Sequence, residues 1–263
     1  MQALTRVIRL ESGIRNIILS NPSKRNALSL AMLESLHKDI QREKEDARVI
    51  ILSAEGDVFS SGHNLKELTS TEGSSHHTRV FEMCNELMGL VQNVPVPVLA
   101  QVRGLATAAG CQLVASCDIA VAADTARFAT PGVKVGLFCS TPGVALGRSV
   151  PRKIAMKMLL TGEPISAQEA YLHGLVSAVV PEADLEKETV ALARKISDSS
   201  HSVLSFGKAC FNKQMKLDRE EAYRLAGNAM VDNLRFHDAQ EGIQAFVEKR
   251  KPKWSHTTNT VHG

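Results

Sequence analysis

The stretch RGLATAAGCQLVASCDIA, Arg103–Ala120, holds five alanines, two glycines and, one turn into what reads as a helix, a single amide, Gln112. Small residues at a helix start let another chain or a ligand approach backbone N–H groups that have no partner within the helix. The positive end of the helix dipole lies beside those donors. The strand SCDIAVAA follows directly, so small turn, helix and strand succeed one another within about twenty residues.

Working outward, the same alternation fills the first two-thirds of the chain. TRVIRL and RNIILS, joined by Ser12-Gly13, read as a hairpin. NPSKRNALS is a polar loop, and Ser29 is placed to cap a helix whose apolar positions Met32, Leu33, Leu36 and Ile40 keep helical spacing. ARVIILSA, PVPVLAQV and LVSAVV read as further strands. Helices are expected over 74–91, 152–160, 167–173 and 182–197. This pattern predicts an α/β fold containing parallel strands. After Asp198 the strand signal ends, and three helices are expected over 203–215, 219–234 and 238–249. The chain therefore divides into a core of residues 1–197 and a helical region of residues 198–263. No internal repeat is visible in the sequence.

Composition narrows the function. The 263 residues are 44% hydrophobic and 22% charged, which suits an ordinary folded chain with a large core. A net charge of +3, with one Trp and two Tyr, gives no basic stripe interleaved with aromatics, so no nucleic-acid partner is expected. Five cysteines without a Cys-x-x-Cys pair suit free thiols in a reducing compartment. No apolar run reaches the roughly 18 residues that a membrane span needs. MQALTRVIRLESG reads as a strand almost at once rather than as a signal peptide, and NTVHG is not a peroxisomal tripeptide. His76 and His77 are neighbours on a helix and point in different directions, so no metal site is expected.

A second small-residue turn, FSSGHN (Phe59–Asn64), follows another strand. Like LATAAG (Leu105–Gly110), it reads as a strand giving way to a helix. Close packing of helix on sheet explains such turns; so does a site that offers backbone N–H groups to an anion or to a carbonyl oxygen gaining charge.

Five stretches, in order, carry a family resemblance: NPSKRNALS, FSSGHNLKEL, RGLATAAGCQLVASCDIAVAADTARFATPGVKVG, AMKMLLTGEPISAQEAYLHGLVSAVVP and EGIQAFVEKRKPKW. Together they span about Val7 to Trp254 and resemble the enoyl-CoA hydratase/isomerase (crotonase) superfamily, with GLFCSTPGVAL most similar to a mitochondrial branch of it. The resemblance implies a ClpP-like spiral of repeated β-β-α units and a C-terminal helical region that assembles trimers or pairs of trimers. It implies an acyl-CoA or enoyl-CoA thioester as ligand in fatty-acid metabolism, with CoA as part of the substrate and no separate cofactor or metal.

Residue by residue, the resemblance places the thioester oxygen between the backbone N–H groups of His63 and Ala109. Two such donors fixed in a dry site are each worth roughly 2.7–4 kcal/mol. Asn64, Leu65, Lys66 and Gly110 match CoA contacts, as do Lys24, Arg25 and Ala27. Lys249 is a candidate for a CoA phosphate held by a neighbouring subunit; a solvated helix end explains it equally. The family's hydratases activate water and manage the α-proton with two glutamates, and those positions here are Gln112 and Gly132. An amide cannot accept the water's proton near neutral pH, and glycine supplies nothing. Each lost acid–base group is worth about 10²–10⁴ in rate. His63 and Cys139 remain as side chains able to move a proton or attack a thioester, the latter as a CoA-thioester hydrolase. Asp118 matches a structural acid. An inert acyl-CoA-binding protein and, further off, a scaffold or RNA-binding member are the alternatives to an enzyme.

Overall fold

The opening hairpin forms as its sequence reads. In the computed structural model, which describes residues 3–261, β1 (Thr5–Arg9) and β2 (Ile14–Leu19) pair antiparallel with Val7 opposite Ile17. Ser29 caps α1 (Leu30–Glu43): its hydroxyl accepts the Met32 N–H at 3.2 Å. Met32, Leu33, Leu36 and Ile40 are all buried, as their spacing requires. The chain then runs parallel to β2 as β3 (Val49–Ala54).

From β3 onward one unit repeats three times. β3, β4 (Val58–Ser60) and α2 (Gly73–Asn93) form the first unit; β5 (Val98–Val102), β6 (Leu105–Thr107) and α3 (Ala109–Ser116) form the second. The third comprises β7 (Ile119–Ala123), β8 (Arg127–Ala129) and α4 (Ser140–Ser149). The first strand of each unit extends a six-stranded sheet, β1-β2-β3-β5-β7-β10, completed by β10 (Ala178–Val180). The second strand extends a four-stranded sheet, β4-β6-β8-β9, completed by β9 (Ile165–Ser166). Pairing from unit to unit is parallel in both sheets. Each β-β-α turn thus advances one strand in each sheet, which makes a spiral and confirms the α/β expectation.

Strand alternation sorts the core onto two faces. Ile50 and Leu52 point into the main core with α1 and α2, while Val49 and Ile51 pack with Ile14, Leu99 and Ala193 under α7 (Leu185–Ser197). Both faces of the large sheet are covered, which is why its strands read as continuous apolar runs.

Two features depart from the sequence reading. The small sheet's strands are two or three residues long, too short to show a period. No helix was expected over residues 140–149, which contain Pro142, Gly143 and Gly147, yet they form α4. Pro142 is the third residue of that helix, where an N–H would have no partner in the helix, so its missing donor costs little. After α5 (Arg152–Thr161), α6 (Ala167–Leu172) and α7 come α8 (His201–Gln214), α9 (Arg219–Leu234) and α10 (His237–Val247). Lys208 on α8 anchors this region: its Nζ donates to Asp118 Oδ2 at 2.6 Å, Val96 O at 2.9 Å and Val91 O at 3.1 Å. Asp118 Oδ2 also accepts the Val98 N–H at 2.7 Å, so this acid ties α8 to the spiral. Among the described residues no helix is long and apolar enough to cross a membrane.

Candidate active site

The two small-residue turns meet. Gly62 takes φ +81°, and a Cβ there would lie 2.8 Å from Ala108 Cβ, 2.9 Å from Thr107 O and 3.2 Å from Ala109 N. Only glycine combines that backbone with that approach. Gly110 presses on β4 in the same way: a Cβ would come within 2.6 Å of Ser60 O. Packing therefore accounts for both glycines. It does not account for Ala108, which carries a Cβ at φ 52°, ψ −120° as the cap of α3. Such a conformation costs of order 1–3 kcal/mol, and strained residues cluster at ligand sites. The Ala108 N–H donates to Ala129 O at 2.9 Å, which pins the turn against β8. Among the described residues, the N–H groups of His63 and Ala109 are engaged in no turn, cap or side-chain hydrogen bond. The first turn differs from its expected form: it opens into a single 3-10 turn, Leu65–Leu68, capped by Asn64, and α2 starts only at Gly73. A helix dipole thus lies behind Ala109 but not behind His63.

The loop NPSKRNALS is laced to the first turn. The Ser61 N–H donates to Arg25 O at 3.0 Å, and the Leu28 N–H to Gly62 O at 2.8 Å. Asn26, which the sequence did not single out, holds the loop. Fully buried, it donates from Nδ2 to Glu55 O at 2.9 Å and Val58 O at 2.8 Å, and its Oδ1 accepts the Asn21 N–H at 2.9 Å. Asn26 takes φ 49° and Arg25 φ 51°, a left-handed pair in which asparagine is at home. Lys24 and Arg25 are exposed and Ala27 is half-buried beside the turn; Leu65 and Lys66 are exposed. Lys249 lies apart from this group, just past α10, which packs on α8 and α9. Among the described residues its ammonium has no ion-pair partner, whereas Arg250 pairs with Glu241 at 2.7 Å.

Gln112 is 5% exposed, and its amide oxygen is buried without a hydrogen-bond partner among the described residues. Its own N–H donates to Ala108 O at 3.0 Å, which sets the residue one turn above the strained cap. Gly132 is crowded. A Cβ there would lie 2.8 Å from Leu137 O and 2.8 Å from Cys139 Sγ. The segment 136–139 folds back over it: the Leu137 N–H donates to Gly132 O at 2.9 Å, and the Gly132 N–H points at Cys139 Sγ at 3.3 Å. The position is not merely lacking a carboxylate; the space a side chain would enter is filled.

The remaining candidate groups are held neutral. Burial lowers the His63 pKa, against smaller opposing effects of Leu28 O and Glu67. His63 Nδ1 lies 3.3 Å from Leu28 O, and because a carbonyl only accepts, Nδ1 carries the proton. Its ring packs edge-on to Phe81, centroids 5.1 Å apart, and its Nε2 is buried without a partner. Burial also raises the Cys139 thiol, more than the Gly132 N–H lowers it. A thiol kept in its neutral form is a poor nucleophile. Two cavities lie elsewhere: one of about 580 Å³ among α8, α9, α10 and Trp254, and one of about 340 Å³ between the end of α2 and α8. Neither is lined by His63, Ala109 or Gln112.

The family model for enoyl-CoA hydratase/isomerase matches residues 9–257. The chain belongs to the enoyl-CoA hydratase/isomerase family. A human protein named enoyl-CoA hydratase domain-containing protein 3, mitochondrial, is 65% identical over 246 residues, covering 93% of this chain and 81% of that protein. A crystal structure of human enoyl coenzyme A hydratase domain-containing protein 3 superposes with a TM-score of 0.93 at 63% identity, over 95% of this chain and all of that one. A Mycobacterium smegmatis enoyl-CoA hydratase structure gives 0.94 at 45% identity, over 97% and 100%. Family membership and the spiral fold are thereby shown.

Proposed function

We propose that this enoyl-CoA hydratase/isomerase family member binds an acyl-CoA or enoyl-CoA of fatty-acid metabolism without the family's acid–base pair. The thioester oxygen would rest between the N–H groups of His63 and Ala109, with Lys24, Arg25, Ala27, Asn64, Leu65, Lys66 and Gly110 along the CoA. The observation that carries this reading is the contact of Gly62 with residues 107–109, which brings together, beside a strained cap, two N–H donors that make no turn, cap or side-chain hydrogen bond among the described residues. Gln112 and the crowded Gly132 argue against water activation. Catalysis by the buried, neutral Cys139 thiol has less support than binding alone.

Three further parts of the proposal concern the whole protein. Residues 1–197 form the CoA-thioester core and residues 198–263 the oligomerisation region. Trimers or hexamers assemble through that region, where Lys249 approaches a neighbour's CoA. The protein works in the mitochondrion, as the names of its close relatives indicate.

Isotope-edited infrared spectroscopy of bound butyryl-CoA tests the oxyanion hole. The account predicts saturable binding and a thioester carbonyl stretch shifted to lower frequency than in water. An unshifted stretch in the bound state, or no binding, contradicts it.

A further inference from the structure

An imidazole nitrogen from the tail meets the start of α8. The first N–H groups of a helix have no partner within it. Here Ser200 Oγ accepts the Val203 N–H at 3.4 Å, and the His201 N–H donates to Nδ1 of His256, also at 3.4 Å. A nitrogen that accepts carries no proton, so docked His256 is neutral and holds its proton on Nε2. His256 also takes φ 61°, a left-handed conformation that a side chain resists, so contacts on either side must hold it there. Two residues earlier stands Trp254, the chain's one tryptophan. Its Nε1 donates to Asp198 O at 2.9 Å, and its ring lies against Gly242, where a Cβ would be 3.0 Å away. Trp254 thereby forms part of the wall of the cavity among α8, α9 and α10.

The charges around this nitrogen come from four elements. Arg48, at the entry to β3, donates to Ser197 O at 2.9 Å and Ser199 O at 3.0 Å. Asp198 lies at the end of α7, and His201 opens α8. Asp238, near the start of α10, accepts the N–H groups of Ser255 and His256, and His237 Nδ1 lies 3.6 Å from its Oδ1. Burial and then the Arg48 charge lower the pKa of His256, against the opposing pull of Asp238. Burial, Arg48 and His256 lower that of His201, whose buried Nδ1 has no partner among the described residues. Asp238 stays ionised down to about pH 2, so its grip on the tail does not change between pH 7 and 5. A proton on His256 would also face the positive end of the α8 dipole.

We infer that residues 254–257 form a proton-operated strap: on protonation His256 Nδ1 gives up the His201 N–H, and the strap lifts Trp254 off the cavity. The direction follows from linkage. Undocked His256 takes its proton near pH 6.5, and the docked residue only at lower pH. Docking is therefore undiminished above about pH 7 and weakens as pH falls through about 6.5 toward the docked value. The strap is tied on both sides, by the Lys253 N–H on Glu241 at 2.7 Å and the His237 N–H on Asn259 O at 2.9 Å, so it opens locally while the tail stays attached. None of this depends on which ligand the two small-residue turns bind.

The test is acrylamide quenching of Trp254 fluorescence in the full chain, with 15N-histidine NMR alongside. The quenching constant should rise at least about twofold from about pH 7.5 to about pH 5. In His256→Asn an amide oxygen stands in for Nδ1 and accepts at either pH, and asparagine suits a left-handed backbone. Quenching in that variant should stay low at both pH values, whereas His201→Gln should keep the rise. In the unmodified chain, NMR should show His256 protonated on Nε2 alone at about pH 7.5 and titrating below about pH 6.5. Constant quenching in the unmodified chain overturns the inference, as does a rise that persists in His256→Asn or is lost in His201→Gln. So does a proton on His256 Nδ1 at about pH 7.5, a reading that needs no variant to fold.

Discussion

Gly132 is the residue at which a missing side chain has a visible structural cause. The backbone of Leu137 and the sulfur of Cys139 occupy the place of its Cβ, so Gly132→Ala should destabilise the protein by about 1–3 kcal/mol in urea denaturation. Gly132→Glu should be worse, and should not restore hydratase activity even beside Gln112→Glu. At Ala108 the direction reverses. Glycine adopts φ 52° freely, so Ala108→Gly should leave stability unchanged or raise it by up to about 1 kcal/mol, whereas Ala108→Val should lower it by more than about 2 kcal/mol. Thermal melts of the two variants check this. At this scale the sequence was legible where identity alone speaks, as in the amide at Gln112. It was silent on Gly132 crowding and on Asn26, because those contacts join residues that only the folded chain brings together.

At the scale of elements, legibility followed length and pattern. β2, β3, β5 and β7 are five or six residues of mostly apolar character and were read, as was α9, whose limits at Arg219 and Leu234 match the expectation. The strands of the small sheet are too short to show a period, and α4 was not expected because Pro142 and Gly143 suit a helix only in its first turn and Gly147 weakens one further along. The β-β-α repeat left no trace in the sequence, since each unit fills its core with different side chains. The tail after α10 is tied down by two carboxylates: Glu241 accepts the Lys253 N–H at 2.7 Å, and Asp238 takes the next residues. Asp238 Oδ1 accepts the Ser255 N–H at 2.7 Å, and Oδ2 accepts the Ser200 hydroxyl at 2.6 Å and the His256 N–H at 2.9 Å. Burial raises this carboxyl's pKa, but the hydrogen bonds outweigh it and bring the value to about 2. A folded pKa below the unfolded value near 4 gives stabilisation that is complete above about pH 4 and lost as pH falls through about 2. Asp238→Asn should therefore be less stable than the unmodified chain by about 2 kcal/mol at pH 7, with the gap closing toward pH 2. Urea denaturation across that range checks it.

At the scale of the whole molecule, the helical region exposes Phe246 (84%), Tyr223 (76%) and Val247 (73%), together with Met230 and Val231. Large apolar side chains grouped in this way on one region mark a surface that seeks a partner, and the cavity among α8, α9 and α10 opens beside them. Sedimentation should show an assembly larger than one chain, and Phe246→Asp should shift it toward the monomer; a monomeric unmodified protein would contradict the proposed role of residues 198–263. The central claim is that the family's pocket persists while its acid–base pair is gone. The most direct test is the steady-state hydration rate of crotonyl-CoA by the purified protein, with binding of the same thioester measured alongside. The account predicts binding with turnover at least about 10⁴-fold below that of a family hydratase retaining both glutamates; turnover matching such an enzyme would contradict it.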